Sequence, residues 1–346
     1  MKKVRPDGVI RLMTKALLRR GLSQKHADQV ARGLATTSLR GVDTHGIILF
    51  PLYLKELEGG RAKAQPQLSW HKGAAATRVL DADGALGLVA GLTAAEKAVH
   101  LARSHGVGAV AVGNSNHFGA ASVYTLAMAA QGMIGLSFSN SDALVAPTHG
   151  KNPLFGTNPL SFAVEGDGEV FCVDMATSQV AYSRVKRFKA AGKPLQPGWA
   201  LDGDGRDLAD SEGEFAAMQP LGGYKGQCLC MMVEILCVLL TGMPFDHELS
   251  HLFVPPYDRP RTVSHFFLAL DISSFQSLAG FKTRLSRLLT GVREAERSAE
   301  TRVINPGDLE KETADHRRLE GIPVPDHLYR ELSDINRELG SDAETL

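Results

Sequence analysis

The sequence contains few cysteines, and none of them form the pairs on which disulfide frameworks and zinc ribbons depend. Its 346 residues include four cysteines and no Cys-x-x-Cys pair, so small disulfide scaffolds and zinc-ribbon domains are excluded. Cys228, Cys230 and Cys237 lie within one apolar run, where a free thiol behaves as a small core residue. We therefore expect reduced cysteines and a cytoplasmic protein.

The chain also lacks an excess of charge and a membrane-spanning segment. Its 38 basic residues balance 38 acidic ones, so no overall field favours nucleic acid. The first fifteen residues contain no continuous apolar stretch and no small-residue cleavage site, which argues against a signal peptide. The longest apolar run, residues 228–245, contains Glu234 and ends near Pro244, short of a bilayer span. A small-molecule substrate is the expected partner.

The glycine motifs of the common nucleotide-binding folds are missing as well. Gly106 and Gly108 give only half of a G-x-G-x-x-G fingerprint, and they precede a strand instead of following one. The segment around Lys225, GGYKG, lacks the spacing and the Ser or Thr of a Walker A loop. Any nucleotide must therefore bind to a different fold.

The elements that are present alternate between strand and helix in the middle of the chain and are helical at both ends. Apolar spacing predicts helices in the first sixty residues, including one that Asp43 caps and that runs to Gly60. From Thr77 the pattern changes to strands and helices, and beyond Phe275 it becomes amphipathic helix again. We predict an α/β fold in two domains, a helical domain of residues 1–75 plus 276–346 and an α/β domain of residues 76–275.

One loop places a titratable side chain among very small neighbours. The segment GNSNHFGAAS, residues 113–122, follows a valine-rich predicted strand and precedes a predicted helix. Strand-to-helix loops of α/β proteins commonly carry the chemistry. His117 is therefore a candidate catalytic residue.

A zinc-protease pattern also occurs, in HELSH. His247, Glu248 and His251 match H-E-x-x-H, which requires both imidazoles on one face of a stable helix. Pro244 before the motif and the two prolines after it leave about two turns of helix. A zinc-dependent hydrolase is thus an alternative function, although we expect no metal site.

Three further segments combine polar side chains with predicted helix starts. SLRGVDTHGI carries Arg40, Thr44 and His45, although a helix cap and a surface histidine explain this segment equally well. DMATS and PLGGYKGQ, the latter with Lys225, offer backbone N–H groups and a cation that suit a phosphate or carboxylate. Together they indicate proton transfer beside an anionic ligand.

The order and spacing of these segments resemble the type-2 malate/L-lactate dehydrogenase family. The motifs are RGVDTHGI, GNSNHFGAAS, GLSFSNSDALVAP, GTNPLSFAV, DMATS, GWALDGDG and PLGGYKG. This family includes ureidoglycolate and sulfolactate dehydrogenases, a diketogulonate reductase and cyclic imino acid reductases. The resemblance implies a non-Rossmann α/β fold with a mixed sheet, NADH or NADPH as cofactor, and a homodimer with the active site near the subunit interface.

The resemblance also implies roles for individual residues. His45 and His117 match the two active-site histidines; we favour His117 as the acid/base, oriented by Asp142, while the reverse assignment stays open. The positions that match cofactor contacts are Ser141, Asp174, Met175, Ala176, Lys225, Pro306 and Gly307. The activity implied is hydride transfer between nicotinamide and a small 2-hydroxy acid, 2-oxo acid or related carbonyl or imine.

The chain departs from the family at the substrate-binding arginine. Family members carry it three or four residues after the first histidine, where this sequence has Ile48 and Leu49. The candidates to replace it or to contact the substrate are Arg40, Thr44, Lys151 and Arg184. The basic cluster Arg184, Lys186, Arg187 and Lys189 is a candidate for the 2′-phosphate of NADPH. A dehydrogenase-like binding protein without turnover is a further alternative.

Overall fold

The computed structural model describes residues 1–71, 73–298 and 301–340. The helices are α1 Pro6–Arg19, α2 Gln24–Leu39, α3 Phe50–Gly59, α4 Gly87–His105, α5 Ser122–Ala129, α6 Tyr182–Ala190, α7 Tyr224–Glu234, α8 Leu278–Arg293, α9 Asp308–Glu320 and α10 Asp326–Glu338. The strands are β1 Lys2–Val4, β2 Ser69–His71, β3 Thr77–Asp81, β4 Val107–Ser115, β5 Met133–Ser139, β6 Leu160–Glu165, β7 Val170–Met175, β8 Ala200–Leu201, β9 Ala217–Met218, β10 Val263–Asp271 and β11 Ile322–Val324.

A seven-stranded mixed sheet organises the fold, in the order β2-β3-β4-β10-β5-β6-β7. β3 and β4 run parallel, whereas the other neighbouring strands of this sheet pair antiparallel. A doubly wound dinucleotide-binding fold needs successive parallel crossovers, and this sheet is built differently. The predicted mixed-sheet α/β fold is confirmed, and it accounts for the missing glycine fingerprint.

The core lies between the central strands and the helices that cover them. β4 and β10 supply valine, alanine and phenylalanine side chains that are fully buried, among them Val110, Val112 and Phe267. Strands covered on both faces read as nearly continuous apolar runs, which is why both were visible in the sequence. β6 and β7, which follow each other directly in the chain, pair antiparallel as a hairpin.

The first strand of the chain pairs with a strand that lies late in the sequence. β1 pairs antiparallel with β11, and Val4 and Ile322 in this pair are fully buried. α8, which begins just after the boundary predicted at residue 276, packs Leu285 and Leu289 against Val164 of the sheet. The division into a helical and an α/β domain stays a prediction.

The segment between α2 and α3 differs from the prediction. In place of one helix capped by Asp43, the chain makes two short 3-10 turns, Asp43–His45 and Ile47–Leu49, before α3 begins. Gly46, between the two turns, has φ −99° and ψ −139°, which interrupts the helix, and a Cβ there would lie 2.1 Å from Ser38 Oγ on α2. The Asp43 carboxylate is bound by Arg317 instead of capping a helix.

Among the described residues, we find no helix with the length and apolar character required to cross a bilayer.

Candidate active site

The two predicted histidines lie together. The rings of His45 and His117 stack at a centroid distance of 5.8 Å and an interplanar angle of 22°, and both residues are half-buried. His45 comes from the turn before α3, and His117 comes from the loop between β4 and α5. The fold therefore joins two motifs that are far apart in the sequence into one cleft.

The neighbours of His117 hold its loop in place. Asn116 is fully buried and donates to the carbonyls of Gly84 and Ala85 at 3.0 Å. Phe118 is buried and stacks on His265, with ring centroids 4.6 Å apart. Asn116 and Phe118 are thus both buried, whereas His117 between them remains partly accessible to solvent.

His265 supports this loop from within the sheet. Its ring is fully buried and hydrogen-bonded at 2.9 Å to Ser139 Oγ on one nitrogen and to Ser115 Oγ on the other. Burial lowers the pKa of His265 to about 3. The ring is therefore neutral at ordinary pH and serves as packing, not as an acid or base.

Tyr53 contacts the ring of His117 from α3. Its hydroxyl lies 2.9 Å from His117 Nδ1 and 3.3 Å from the His117 carbonyl oxygen, and the residue is fully buried. The Gly119 N–H also donates to Nδ1, at 3.3 Å. Because a backbone N–H can only donate, Nδ1 is the acceptor in this geometry, and the proton of the neutral ring is on Nε2.

Electrostatics keep His117 neutral. Burial lowers the pKa of His117 well below its usual value, and electrostatic interaction with the His45 ring and the Arg261 guanidinium lowers it further. Burial also lowers the pKa of His45, but there the Asp174 carboxylate acts in the opposite direction. The two rings thus have different charged neighbours, although each ring is uncharged near pH 7.

His45 and Asp174 connect the histidine pair to the edge of the sheet. Thr44 Oγ1 lies 2.9 Å from His45 Nδ1, so this predicted substrate contact orients the ring. Asp174, at the end of β7, accepts a hydrogen bond from the N–H of Ser122 at 2.8 Å. Ser122 begins α5, so Asp174 ties the loop that carries His117 to β7.

Asp142 does not contact His117. Its carboxylate is bound by the guanidinium of Arg261 and by His251 Nδ1, the latter at 2.8 Å. The orienting contact that we predicted for Asp142 is made by Tyr53. Asp142 lies in the loop after β5, and its carboxylate is occupied by Arg261 and His251.

The HELSH segment has no metal-binding geometry. Only Asp246–Glu248 forms a 3-10 turn, and Leu249 is extended, so the two histidines do not share a helix face. His247 stacks on Phe245, and Glu248 accepts from the Phe245 N–H. Within the described ranges no cluster of three metal-ligating side chains occurs. The zinc-hydrolase alternative therefore finds no support.

Several predicted cofactor positions converge at one end of the sheet. Ser141 Oγ accepts from the Thr157 N–H at 3.0 Å, and Thr177 bonds in turn to the Thr157 carbonyl. Asp174, Met175 and Ala176 directly precede Thr177, and Met175 is exposed. Loops that are distant in the sequence thus form one continuous surface beside the histidine pair.

The remaining cofactor positions join the same surface. The Pro306 carbonyl accepts from the Cys172 N–H on β7 at 3.1 Å. A Cβ on Gly307 would lie 2.9 Å from the Val170 carbonyl, so only glycine allows this turn to dock. Lys225 is exposed on the first turn of α7, where N–H groups are unpaired. An anionic dinucleotide fits this combination.

The candidate replacements for the missing arginine are dispersed. The Arg40 charge lies near Cys172 and Asp174, and its Nε is buried without a hydrogen-bond partner among the described residues. Lys151 is exposed and packs against the turn at Gly205. Ile48 is partly exposed and Leu49 is buried, so the turn before α3 brings no cation to the cleft at these positions.

The basic cluster on α6 lies mostly on aromatic rings and one carboxylate. Arg184 lies over Trp199, and Lys186 lies over Tyr182. Lys189 Nζ is 3.0 Å from Glu214, and Arg187 is exposed. Its assignment to the 2′-phosphate of NADPH stays a prediction.

Three residues of this site were not predicted: Tyr53, Gly119 and Arg261. Tyr53 lies eight positions after His45 in an apolar stretch, where the sequence suggests an ordinary core residue. Gly119 is recognisable from the sequence only as a turn former. Arg261 lies between prolines and a strand, and only its contact with Asp142 reveals that it belongs to the site.

Comparison with known proteins identifies the family. Residues 4–333 match the family model described as malate/L-lactate dehydrogenase. A malate dehydrogenase of Pyrococcus abyssi is 31% identical over 98% of this chain and 95% of its own length. A (2R)-3-sulfolactate dehydrogenase (NADP(+)) of Chromohalobacter salexigens is 36% identical over 80% of this chain and 82% of its own.

The fold agrees with a solved structure of the same group. Sulfolactate dehydrogenase from Methanocaldococcus jannaschii superposes with a TM-score of 0.92 at 29% identity, covering 99% of both chains. These relatives are named as dehydrogenases, so the alternative of a binding protein without turnover finds no support either. The chain belongs to the malate/L-lactate dehydrogenase family, and the predicted NADH- or NADPH-dependent oxidoreductase is confirmed.

Proposed function

We propose that the protein transfers a hydride between nicotinamide and the C2 carbon of a small 2-hydroxy acid or its 2-oxo or imino counterpart, with His117 moving the proton. The observation that carries this assignment is the position of His117. Its ring projects into a half-buried cleft, is oriented through Nδ1 by Tyr53 and Gly119, and directs Nε2 away from these contacts. A positioned imidazole of this kind suits general acid–base catalysis.

The protein residues divide the work as follows. The lowered pKa of His117 keeps its ring neutral near pH 7. To accept a hydroxyl proton in the oxidation direction, Nε2 has to be bare, so the ring takes the tautomer that carries its proton on Nδ1. When the ring is protonated, Nδ1–H donates to the Tyr53 oxygen, and the Tyr53 O–H turns to the His117 carbonyl. His45, oriented by Thr44 and stacked beside His117, aligns the substrate.

The residues that would hold the cofactor are on the neighbouring surface. Ser141, Asp174 to Ala176 and the turn at Gly307 would contact the nucleotide, and Lys225 with the first turn of α7 would bind its pyrophosphate. When bound, the nicotinamide supplies or takes up the hydride. The close approach of backbone at Gly307 and the exposed charge of Lys225 support this assignment.

A homodimer is part of the proposal. Large apolar side chains are exposed along α7 and the π-helical turn that follows it, namely Met231, Met232, Ile235, Leu239 and Leu240. The single carboxylate within this stretch, Glu234, is buried. An exposed apolar stripe without charge typically marks a protein interface, and a second copy of the chain is the occupant that we propose.

The four free cysteines support a cytoplasmic location.

The decisive experiment measures cofactor binding and turnover separately. Purified protein is titrated with NADH and NADPH, and nicotinamide absorbance is then followed with a panel of 2-oxo acids and cyclic imines. We expect His117→Gln to lower kcat by about 100-fold or more, as loss of a general acid–base does, with cofactor affinity unchanged.

His105→Gln is the matched control, because His105 is an exposed histidine at the end of α4. His45→Gln is measured in parallel. A larger loss of kcat in His45→Gln than in His117→Gln would reverse the assignment of the two rings. Full activity in both variants would contradict the proposal.

A further inference from the structure

Arg261 is a buried cation in the loop that leads into β10. The residue is 2% exposed. Its Nε donates to the Ser250 carbonyl at 2.9 Å, and its Nη2 donates to the Asp142 carboxylate. These two contacts fix the plane of the guanidinium, so its remaining nitrogen has a defined direction.

The third nitrogen, Nη1, makes no hydrogen bond with any residue in the described part of the chain. It is also not one of the fully enclosed polar atoms that lack a partner. Nη1 therefore retains contact with solvent although the rest of the side chain is covered. A guanidinium that is held on two nitrogens and open on the third is prepared to bind an acceptor.

Its charge reaches the catalytic ring. Arg261 lowers the pKa of His117 and also acts on Tyr53 and Glu56, which lie one turn apart on α3. Its partner Asp142 directly follows Ser141, a predicted cofactor contact. Arg261 also precedes Val263 by two residues, and Val263 pairs with Ser115 of β4, which precedes His117 by two residues. Arg261 therefore lies near both the acid/base and the cofactor surface.

We propose that Arg261 binds the carboxylate of the substrate and selects 2-hydroxy and 2-oxo acids over their neutral analogues. This inference rests on the proposed function, and it names the class of substrate. In a 2-oxo acid the carboxylate carbon is bonded directly to the reacting carbon, so its cation must lie beside the group that contacts the carbonyl oxygen. Ile48 and Leu49 leave the turn before α3 without such a cation.

The surroundings of Arg261 support recognition of a single carboxylate. Asp142 is its only ion-pair partner among the described residues, and Asp142 is shared with His251. The other buried arginine nearby, Arg61, uses both of its Nη atoms for contacts within the chain. It donates to the carbonyls of Leu252, Val254 and Pro256 and pairs with Glu56, so it holds the 250s segment and not a ligand.

Oxamate and oxamide test the inference, since they differ in one carboxylate and are both unreactive. Their affinities are measured by calorimetry, on the protein saturated with NADH or NADPH and on the protein alone. We expect the wild type to bind oxamate more tightly than oxamide, and Arg261→Gln to lose oxamate affinity by about 10- to 100-fold, as expected for a hydrogen bond to a charged group. Affinity for oxamide should stay within about twofold.

Two further variants separate recognition from support. Arg261→Lys keeps the charge and should keep part of the preference for oxamate. Arg61→Lys loosens the same segment without removing Arg261, and it should change both affinities equally or not at all. In the Arg261→Gln background, Ile48→Arg brings a cation from the turn before α3 and should restore oxamate binding.

Three results would overturn the inference: equal loss of both ligands in Arg261→Gln, unchanged oxamate affinity in that variant, or no preference for oxamate in the wild type. Failure of the proposed function has a different signature, because the wild type would then bind neither NADH nor NADPH and would turn over no member of the panel. The oxamate preference of the protein alone can be measured in either case.

Discussion

At the scale of single residues, Tyr53 is the group that allows one histidine to exist in two protonation states. Burial raises the pKa of Tyr53 well above its usual value, so its hydroxyl keeps its proton. A hydroxyl both donates and accepts. It can donate to a bare Nδ1, or accept from a protonated Nδ1 while donating to the His117 carbonyl.

Tyr53→Phe removes this hydroxyl and keeps the buried ring. We expect kcat to fall about tenfold, the value of one hydrogen bond of about 1 to 1.5 kcal/mol, with KM for the substrate nearly unchanged. Steady-state kinetics in both reaction directions measure the effect. Tyr257→Phe is the control, because that hydroxyl contacts only the Phe253 carbonyl among the described residues. A selective rise in KM would contradict the positioning role.

At the scale of elements, the turns between α2 and α3 place His45. Gly46 is the residue at which the two 3-10 turns meet, and its backbone approaches Ser38 on α2. Ser38 Oγ accepts a hydrogen bond from the Ile47 N–H at 3.0 Å, which holds this turn against α2. The position of His45 therefore depends on a backbone contact that no other residue permits at position 46.

Gly46→Ala should both destabilise the protein and lower activity. The added methyl group would lie 2.1 Å from Ser38 Oγ and 2.9 Å from Ser38 N, so the turn has to move. We expect a loss of about 1 to 3 kcal/mol in the free energy of unfolding, typical of forced overpacking, measured by urea denaturation together with kcat.

Gly291→Ala is the matched control for this change. Gly291 lies within α8, and apart from its chain neighbours and the adjacent backbone of this helix, no described atom comes within 4 Å of the place that an added methyl group would take. Alanine favours a helix by up to about 1 kcal/mol over glycine, so the control should be neutral or stabilising. If Gly46→Ala lost no more stability and activity than Gly291→Ala, the close approach of Gly46 to Ser38 on α2 would be refuted.

At the scale of the whole molecule, the apolar stripe on α7 and its π-helical turn determines the assembly that we propose. Ile235 is 48% exposed and Leu239 is 56% exposed. Because a two-fold interface repeats each contact, a charge placed in it is buried twice. The stripe begins six residues after Lys225, so the proposed interface and the proposed cofactor surface are neighbours on α7.

Leu239→Glu should convert a dimer into a monomer of about 37.2 kDa, the mass of the chain. Analytical ultracentrifugation measures the change over a range of concentrations. Leu288→Glu, on the exposed face of α8, should leave the assembly unchanged. A wild-type protein that is monomeric throughout, or a Leu239→Glu variant that stays dimeric, would contradict an interface at this stripe.

The sequence by itself determined the local elements and the class of chemistry. Apolar spacing is a property of near neighbours, so the central strands, the hairpin of β6 and β7 and the helices at both ends were predictable. His117 in its small-residue loop and Lys225 at a helix start were visible for the same reason. The absence of a G-x-G-x-x-G fingerprint also correctly excluded a Rossmann unit.

Only the tertiary structure decided which side chains meet. Tyr53 contacts His117 across 64 residues, and Arg261 contacts Asp142 across 119. The HELSH segment matches a metal motif in sequence, but its backbone is not helical. Asp43 caps no helix, because the backbone at Gly46 is not helical and Arg317 binds the Asp43 carboxylate. Such contacts depend on the path of the whole chain, which the spacing of neighbouring residues does not encode.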